Sequence, residues 1–276
     1  MESGQSKVSI SVIMGAYNPK DKNELNEAID SILQQTYGDF EFLIYDDGSD
    51  AAGEELLKET AKRDGRIRLL RGETNRGLAH ALNACLKEAR GEFVARMDID
   101  DISAPERFRV QKEFLDKYKE YGFVGGSAQL FDKQGVWGIR TPERTPGVKA
   151  FLKYSPYIHP SVMFRKSILD DAGGYLESED TRRCEDYELF MRLYCKKQYG
   201  YNIDKVLFSY REDREWYDKR KLHQRIAEMK VRYRGFRSMG ILKPNTLIYV
   251  VKPVLMIALP KSVRKYLRKR SIRTTE

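Results

Sequence analysis

Three groups of carboxylates in this chain have the spacing to do chemistry. Residues 98–101 read Asp-Ile-Asp-Asp. Asp98 and Asp100 flank one residue, and at a strand end that spacing can turn both side chains to one side. Such a pair suits Mg2+ or Mn2+, hard cations that take carboxylate oxygens and keep positions open for phosphate. Asp98 and Asp100 are therefore the metal candidates, one binding directly and the other through water or a ribose hydroxyl. The plainer alternative for an isolated Asp-X-Asp is a solvated loop that caps the next helix. Asp46-Asp47 precedes Gly48-Ser49, a sequence that also makes turns and helix caps. A carboxylate there can accept the imide N–H of uracil or bond a ribose hydroxyl. Strand alternation leaves either aspartate available, with Asp47 favoured for the base. Glu185-Asp186 opens an amphipathic stretch. Acidic residues are at home at a helix start, and a carboxylate held rigidly there can also deprotonate a hydroxyl.

These residues need elements to position them. Residues 8–14 (VSISVIM), 40–45 (FEFLIY), 67–70 and 93–97 are short, near-continuous apolar runs and read as buried strands. Between them, residues 24–35, 52–63 and 78–89 carry apolar side chains at helical spacing. The alternation predicts an α/β domain around a mostly parallel sheet. Ligands of such sheets bind beyond the carboxyl ends of the strands. The turn at residues 15–18, which includes Ala16 and Tyr17, falls there, as do Asp46-Asp47 and the acidic loop at 98–101. So many carboxylates at one edge repel one another unless a cation or hydrogen-bond donors intervene. The second half is less regular. A helix is expected from Pro105 to about Lys119, short strands at 123–125, 128–131 and 206–210, an extended segment at 160–165, and a helix at 185–197. Arg76, in Asn75-Arg76-Gly77, can reach a nucleotide or belong to a turn that opens a helix. His159 can line an acceptor site or pack structurally, and Trp137 can face a sugar or cover core.

Composition narrows the classes. The chain has 276 residues, 41% of them hydrophobic, enough for one core with a small appendage. Its net charge of +9 is uneven. Residues 211–276 hold 19 Lys/Arg against 6 Asp/Glu, whereas the first 210 hold 31 against 35. The basic excess belongs to the tail, which argues against nucleic acid as a partner of the main domain. Cys85, Cys184 and Cys195 lack metal or redox spacing, and reduced, cytoplasmic thiols are expected. The opening MESGQSKVSI has no apolar segment of the kind a signal peptide needs. No stretch reaches the ~18–20 apolar residues of a membrane span.

Four motifs in order, SVIMGAYN, SILQQTYGDFEFLIYDDGSD, NRGLAHALNACLKEARGEFVARMDIDD with PERF, and CEDYELFMRL, resemble those of family 2 glycosyltransferases of the GT-A fold, over about residues 7–210. The resemblance implies a Rossmann-like nucleotide-diphospho-sugar transferase fold. It implies that Asp47, with Asp46 beside it, helps hold the nucleoside, that Tyr17 lies near the nucleobase, and that Asp98 and Asp100 hold metal and ribose-diphosphate. It makes Asp186 the catalytic base of an inverting transfer, and favours UDP in the donor. Ala16 and Arg76 join the expected nucleotide contacts. The Gln-X-X-Arg-Trp element and multiple spans of processive synthases are missing, so a single-addition enzyme is expected. The acceptor implied is a lipid-linked or protein-linked glycan of a bacterial surface polysaccharide. Rival classes lack their signatures, since neither Gly-X-Gly-X-X-Gly nor a Gly-Lys-Ser/Thr loop follows a strand. A noncatalytic sugar-nucleotide-binding or scaffolding protein on the same fold remains the alternative, although it would need neither Asp98, Asp100 nor Asp186.

The expected organisation is a catalytic domain at 1–210, with a nucleotide-sugar half at about 1–101 and an acceptor half at about 102–210, and a basic helical extension at 211–276. Leu222, Ile226, Met229 and Tyr233 fall at helical spacing and are expected to pack on the catalytic domain. Residues 247–259 (LIYVVKPVLMIAL) are apolar but broken by Lys252 and Pro253, and seven basic residues follow between Lys261 and Arg273. An apolar anchor beside a polybasic run suits the inner face of a cell membrane, and the apolar run can equally bury itself in a homo-oligomer.

Overall fold

The computed structural model describes residues 8–214, 220–260, 262–264 and 273–274. Its first third alternates as the apolar runs require: β1 (Ile10–Ala16), α1 (Lys22–Leu33), β2 (Phe40–Asp46), α2 (Ala51–Ala61), β3 (Ile67–Arg71), α3 (Leu78–Glu88) and β4 (Phe93–Arg96). The four strands lie side by side in the order β4-β1-β2-β3, all parallel. β2 is buried along its whole length, the mark of a strand covered on both faces. Alternate residues of β1 face different cores. Ile10, Val12 and Met14 pack with α1 and α2, and Ile13 packs with α3. Asp21 and Asp50 cap α1 and α2 by accepting N–H groups of their first turns.

The rest extends this sheet: β5 (Ile102–Ser103), α4 (Arg107–Lys117), β6 (Tyr121–Asp132), β7 (Gly135–Arg140), β8 (Met163–Arg165), α5 (Lys166–Ala172), α6 (Glu185–Cys195) and β9 (Tyr199–Arg211). β8 pairs antiparallel to β4 and to β6, which carries the sheet on to β7 and β9. The two short strands expected around residues 123–131 are one continuous β6. Gly125-Gly126 weakens the sequence signal there, and the pairing with β9 shifts register beside Gly126. The extended segment at 160–165 begins instead with a 3-10 turn at His159–Ser161.

After β9 come α7 (Leu222–Ser238) and α8 (Leu247–Ala258), and β10 (Arg273–Thr274) pairs with β7. Val231, Phe236, Ile241 and Val250 join the same core cluster as Ile13 and Leu43. The stripe expected to dock α7 mostly faces solvent: Leu222, Ile226 and Tyr233 are exposed, and only Met229 packs on the core. α7 instead buries Ala227, Val231 and Phe236 together with Arg225, Glu228 and Arg232. Glu228 pairs with Arg232 and Arg220, and Arg232 also donates to the carbonyls of Leu152 and Tyr249. A buried face that mixes ion-paired charges with a few apolar residues has only a weak apolar periodicity to betray it.

Candidate active site

The parallel strands bring the carboxyl ends of β1 to β4 to one edge. The chain leaves β1 for β2 on one side, while β4 lies on the other, so the loops after β1 and β4 diverge and open a crevice between them. Ala16 is buried at the end of β1, and Tyr17 just beyond it is half exposed.

The loops on the β2 side are tied into one body. Asp46 is fully buried, accepts the Ser49 N–H at 2.9 Å and pairs with Arg71 at the end of β3. Asp47 is 3% exposed; its two oxygens accept the N–H groups of Arg76 at 2.9 Å and Gly77 at 2.7 Å. Gly77 precedes α3 with φ +95, and no side chain of its own caps that helix, so the Asp47 carboxylate stands where the free N–H groups gather. Asn18 donates its N–H to Ser49 and accepts that of Asp50. Gly48, at φ +75, lets the β2 loop press on the next one, since a Cβ there would lie 2.6 Å from the Thr74 carbonyl carbon. Arg76 projects into a cavity of about 850 Å³ and meets Glu177 at 3.4 Å.

The loop after β4 is held differently. One carboxylate oxygen each from Asp98, Asp100 and Asp101 lies within 4.8 Å of the others. Asp98 pairs with the buried Arg96. Asp101 is almost fully buried; its Oδ1 accepts the Arg211 N–H at 2.8 Å, and its Oδ2 has no partner. Burial, then the charges of Asp98 and Asp100, push the Asp101 carboxyl well above the usual range. Arg211 also donates to the Asp100 carbonyl at 2.8 Å and pairs with Glu27. Three oxygen donors and an orphaned buried carboxylate oxygen fit a hard divalent cation. Asp98 and Asp100 would hold it, with Asp101 a third ligand. Asp101 was visible in the sequence as a neighbour of the pair. Arg211 carried no signal, because it reaches the loop from the far end of β9.

Glu185 and Asp186 open α6 and line, with Asp98, Arg96, His159 and Tyr210, a second cavity of about 700 Å³. Leu78 and Glu185 line both cavities, which join the two halves of the cleft. Burial raises the Asp186 carboxyl above its ordinary value. Burial and then Asp186 push Glu185 up to about 7. His159 bonds Tyr175 at 2.8 Å through Nε2; burial and then Arg96 hold it well below its usual range, hence neutral near pH 7. Trp137 lies on β7, outside both cavity walls, and donates to the Glu212 carbonyl at 2.7 Å. Cys85 and Cys184 are buried free thiols, and Cys195 is exposed.

Residues 11–173 match the family described as glycosyl transferase family 2. The chain is 35% identical to glycosyltransferase EpsE of Bacillus subtilis over 97% of its length and 96% of that protein's. It is 29% identical to the UDP-Gal:alpha-D-GlcNAc-diphosphoundecaprenol beta-1,3-galactosyltransferase of Escherichia coli, over 95% and 96%. Among solved structures, the mannosyltransferase PcManGT of Pyrobaculum calidifontis, in complex with GDP-Man and Mn2+, superposes with a TM-score of 0.60 at 17% identity, over 96% of this chain and 74% of that one.

Proposed function

The chain belongs to glycosyl transferase family 2, and on that premise we propose that it is an inverting, metal-dependent enzyme moving a sugar from a UDP-sugar to a hydroxyl of a lipid-linked, growing cell-surface glycan. The observation that carries this reading is the shared cavity: Asp98, from the acidic loop, and Asp186, at the start of α6, line one space of about 700 Å³. That shared lining supports reading Asp98 as a ligand of metal and diphosphate and Asp186 as the base.

In this reading Ala16, Tyr17, Asp46, Asp47 and Arg76 form the nucleotide side. Tyr17 offers an exposed ring for the base, and Asp47 holds Arg76 and Gly77 in place. Mn2+ or Mg2+ between Asp98 and Asp100 would draw charge from the leaving diphosphate. Asp186 takes the proton of the acceptor hydroxyl as its oxygen attacks the anomeric carbon. Attack from the face opposite the departing diphosphate inverts that carbon. The Escherichia coli relative, named for a UDP-Gal donor and a diphosphoundecaprenol-linked acceptor, supports the substrate classes. Mn2+ beside GDP-Man in the Pyrobaculum structure supports the metal.

The tail fits the same setting. Among the described residues no helix is long and apolar enough to cross a membrane. α8 nevertheless exposes Leu247, Ile248, Val251 and Leu255, which recur at helical spacing along one side. With the basic residues around it, α8 would lie on an anionic lipid surface at the inner face of the membrane. The polybasic run itself falls mostly outside the described residues. A panel of sugar nucleotides read by thermal shift, with and without Mn2+, tests the central reading. A UDP-sugar should stabilise the protein, and more so with metal. A protein that neither binds nor turns over any sugar nucleotide would be a scaffold.

A further inference from the structure

Arg96 is the last residue of β4 and is 2% exposed. Strand alternation explains its direction. Phe93 and Ala95 enter the core under α1 and α4, whereas Val94 enters the core shared with α6. Arg96 follows the parity of Val94 and so points toward α6. Its guanidinium pairs with Asp98, yet its Nε finds no hydrogen-bond partner and has no access to solvent. Burying a guanidinium incompletely bonded is costly unless charges around it compensate. Arg107, also buried, bonds Gln111 and the carbonyls of Arg96 and Val162 and does not line this cavity.

The carboxylates around Arg96 come from two elements. Asp98 and Asp101 belong to the loop after β4, and Glu185 and Asp186 to the start of α6. Arg96, Asp98, Glu185 and Asp186 share one cavity wall. We propose that Arg96 is a positioning residue that couples the acidic loop to the α6 carboxylates, one buried cation serving as counter-ion to both. Its ion pair with Asp98 ties it to the acidic loop, and its charge favours the ionised forms of Glu185 and Asp186. With its Nε closed off and only 2% of its surface exposed, Arg96 acts chiefly through these neighbours. The other titratable groups facing Asp186 are Glu185, Cys184, Tyr175, Tyr187 and Arg220, with Arg140 and Lys153 elsewhere on the cavity wall. Arg220 is engaged by Glu228 and Arg140 by Glu212, which leaves Arg96 as the buried cation common to both carboxylate groups. This inference rests on the proposed roles of Asp98 and Asp186.

The test compares R96M and R96K with the unaltered protein by two measurements. The first is Mn2+ titration without donor. In R96M, Asp98 loses a competing partner and the cation a repelling charge, so Mn2+ should bind several-fold more tightly; R96K should stay near the original. The second is the pH profile of sugar transfer from a UDP-sugar that the unaltered protein accepts. The acid limb of R96M should move up by about one pH unit or more, because Asp186 loses a charge that favours ionisation, and activity should recover at high pH. R96K should keep the limb in place while lowering kcat, since its ammonium lacks the guanidinium's planar fork. If R96M does not fold, R96Q carries the same comparison. An unchanged Mn2+ isotherm with an unshifted limb, or an R96K limb shifted as far as that of R96M, overturns the proposal. Absence of transfer by the unaltered protein is a different failure, that of the enzymatic reading, and the Mn2+ titration decides on Arg96 even then.

Discussion

Two acidic loops stand at the same sheet edge and are held in opposite ways. After β2, Asp46 and Asp47 have their oxygens engaged by the Ser49, Arg76 and Gly77 N–H groups and by Arg71. After β4, three carboxylates crowd within 4.8 Å, with Arg96 paired to Asp98 and one Asp101 oxygen left bare. Hydrogen bonds to a carboxylate stabilise its charged form, whereas crowding and burial oppose it. The first loop is thus complete as folded, which suits the nucleotide platform proposed for it. The second is electrostatically unfinished, a condition that a divalent cation would resolve. The α6 start resembles the second loop, since Glu185 and Asp186 are also raised by burial.

This contrast can be broken experimentally, and the largest effects belong to the unfinished side. Asp98→Ala or Asp100→Ala should abolish metal-dependent transfer while the protein still folds, as circular dichroism and a transfer assay would show. Full activity in Asp100→Ala would remove the metal assignment. Asp186→Asn should lower kcat by ~10²–10⁴, the usual worth of a positioned base, with donor affinity by calorimetry nearly unchanged. NMR of the wild-type product should show an inverted anomeric configuration; a retained one would reject the displacement.

The platform side should fail through stability first. Asp47→Ala leaves the Arg76 and Gly77 N–H groups without their charged acceptor. It should cost about 2–4 kcal/mol by denaturant unfolding, since hydrogen bonds to charged groups contribute roughly 1.5–3 kcal/mol each. A loss below about 0.5 kcal/mol would show that the loops are not held through Asp47.

A smaller effect sharpens the comparison by pH. Burial and then the Asp186 charge push the Glu185 carboxyl up to about 7 in the folded chain, against an ordinary 4.5. A raised carboxyl contributes stability that is fully present below about 4.5 and is lost as pH rises through 7. Glu185→Gln should therefore raise the melting temperature of the metal-free protein at pH 8, by on the order of 2 kcal/mol in stability, and the gain should vanish near pH 4.5. An equal gain at both pH values would place the effect in packing.

The smallest effect lies at the tail. The full chain should float with anionic vesicles in a salt-sensitive way, and a version ending at Pro244 should not. Loss of oligomers on truncation without any vesicle binding would assign α8 to a second copy of the chain.

The parallel half of the fold and the three carboxylate groups were legible in the local pattern of residues. Runs such as FEFLIY bury both faces of a strand, and Asp46, Asp47, Asp98, Asp100 and Asp186 directly follow or open periodic elements. Periodicity and end signals are local properties, readable without knowing what lies across the core. Which of those carboxylates are satisfied emerged on folding, because the deciding partners are remote in the chain. Asp47 meets Gly77, Asp101 meets Arg211, 110 residues away, and Asp98 shares a cavity with Asp186. The same holds for α7, whose buried ion pairs have the composition of a solvated face. Charge is legible in a sequence, but its desolvation and pairing depend on how elements close over it.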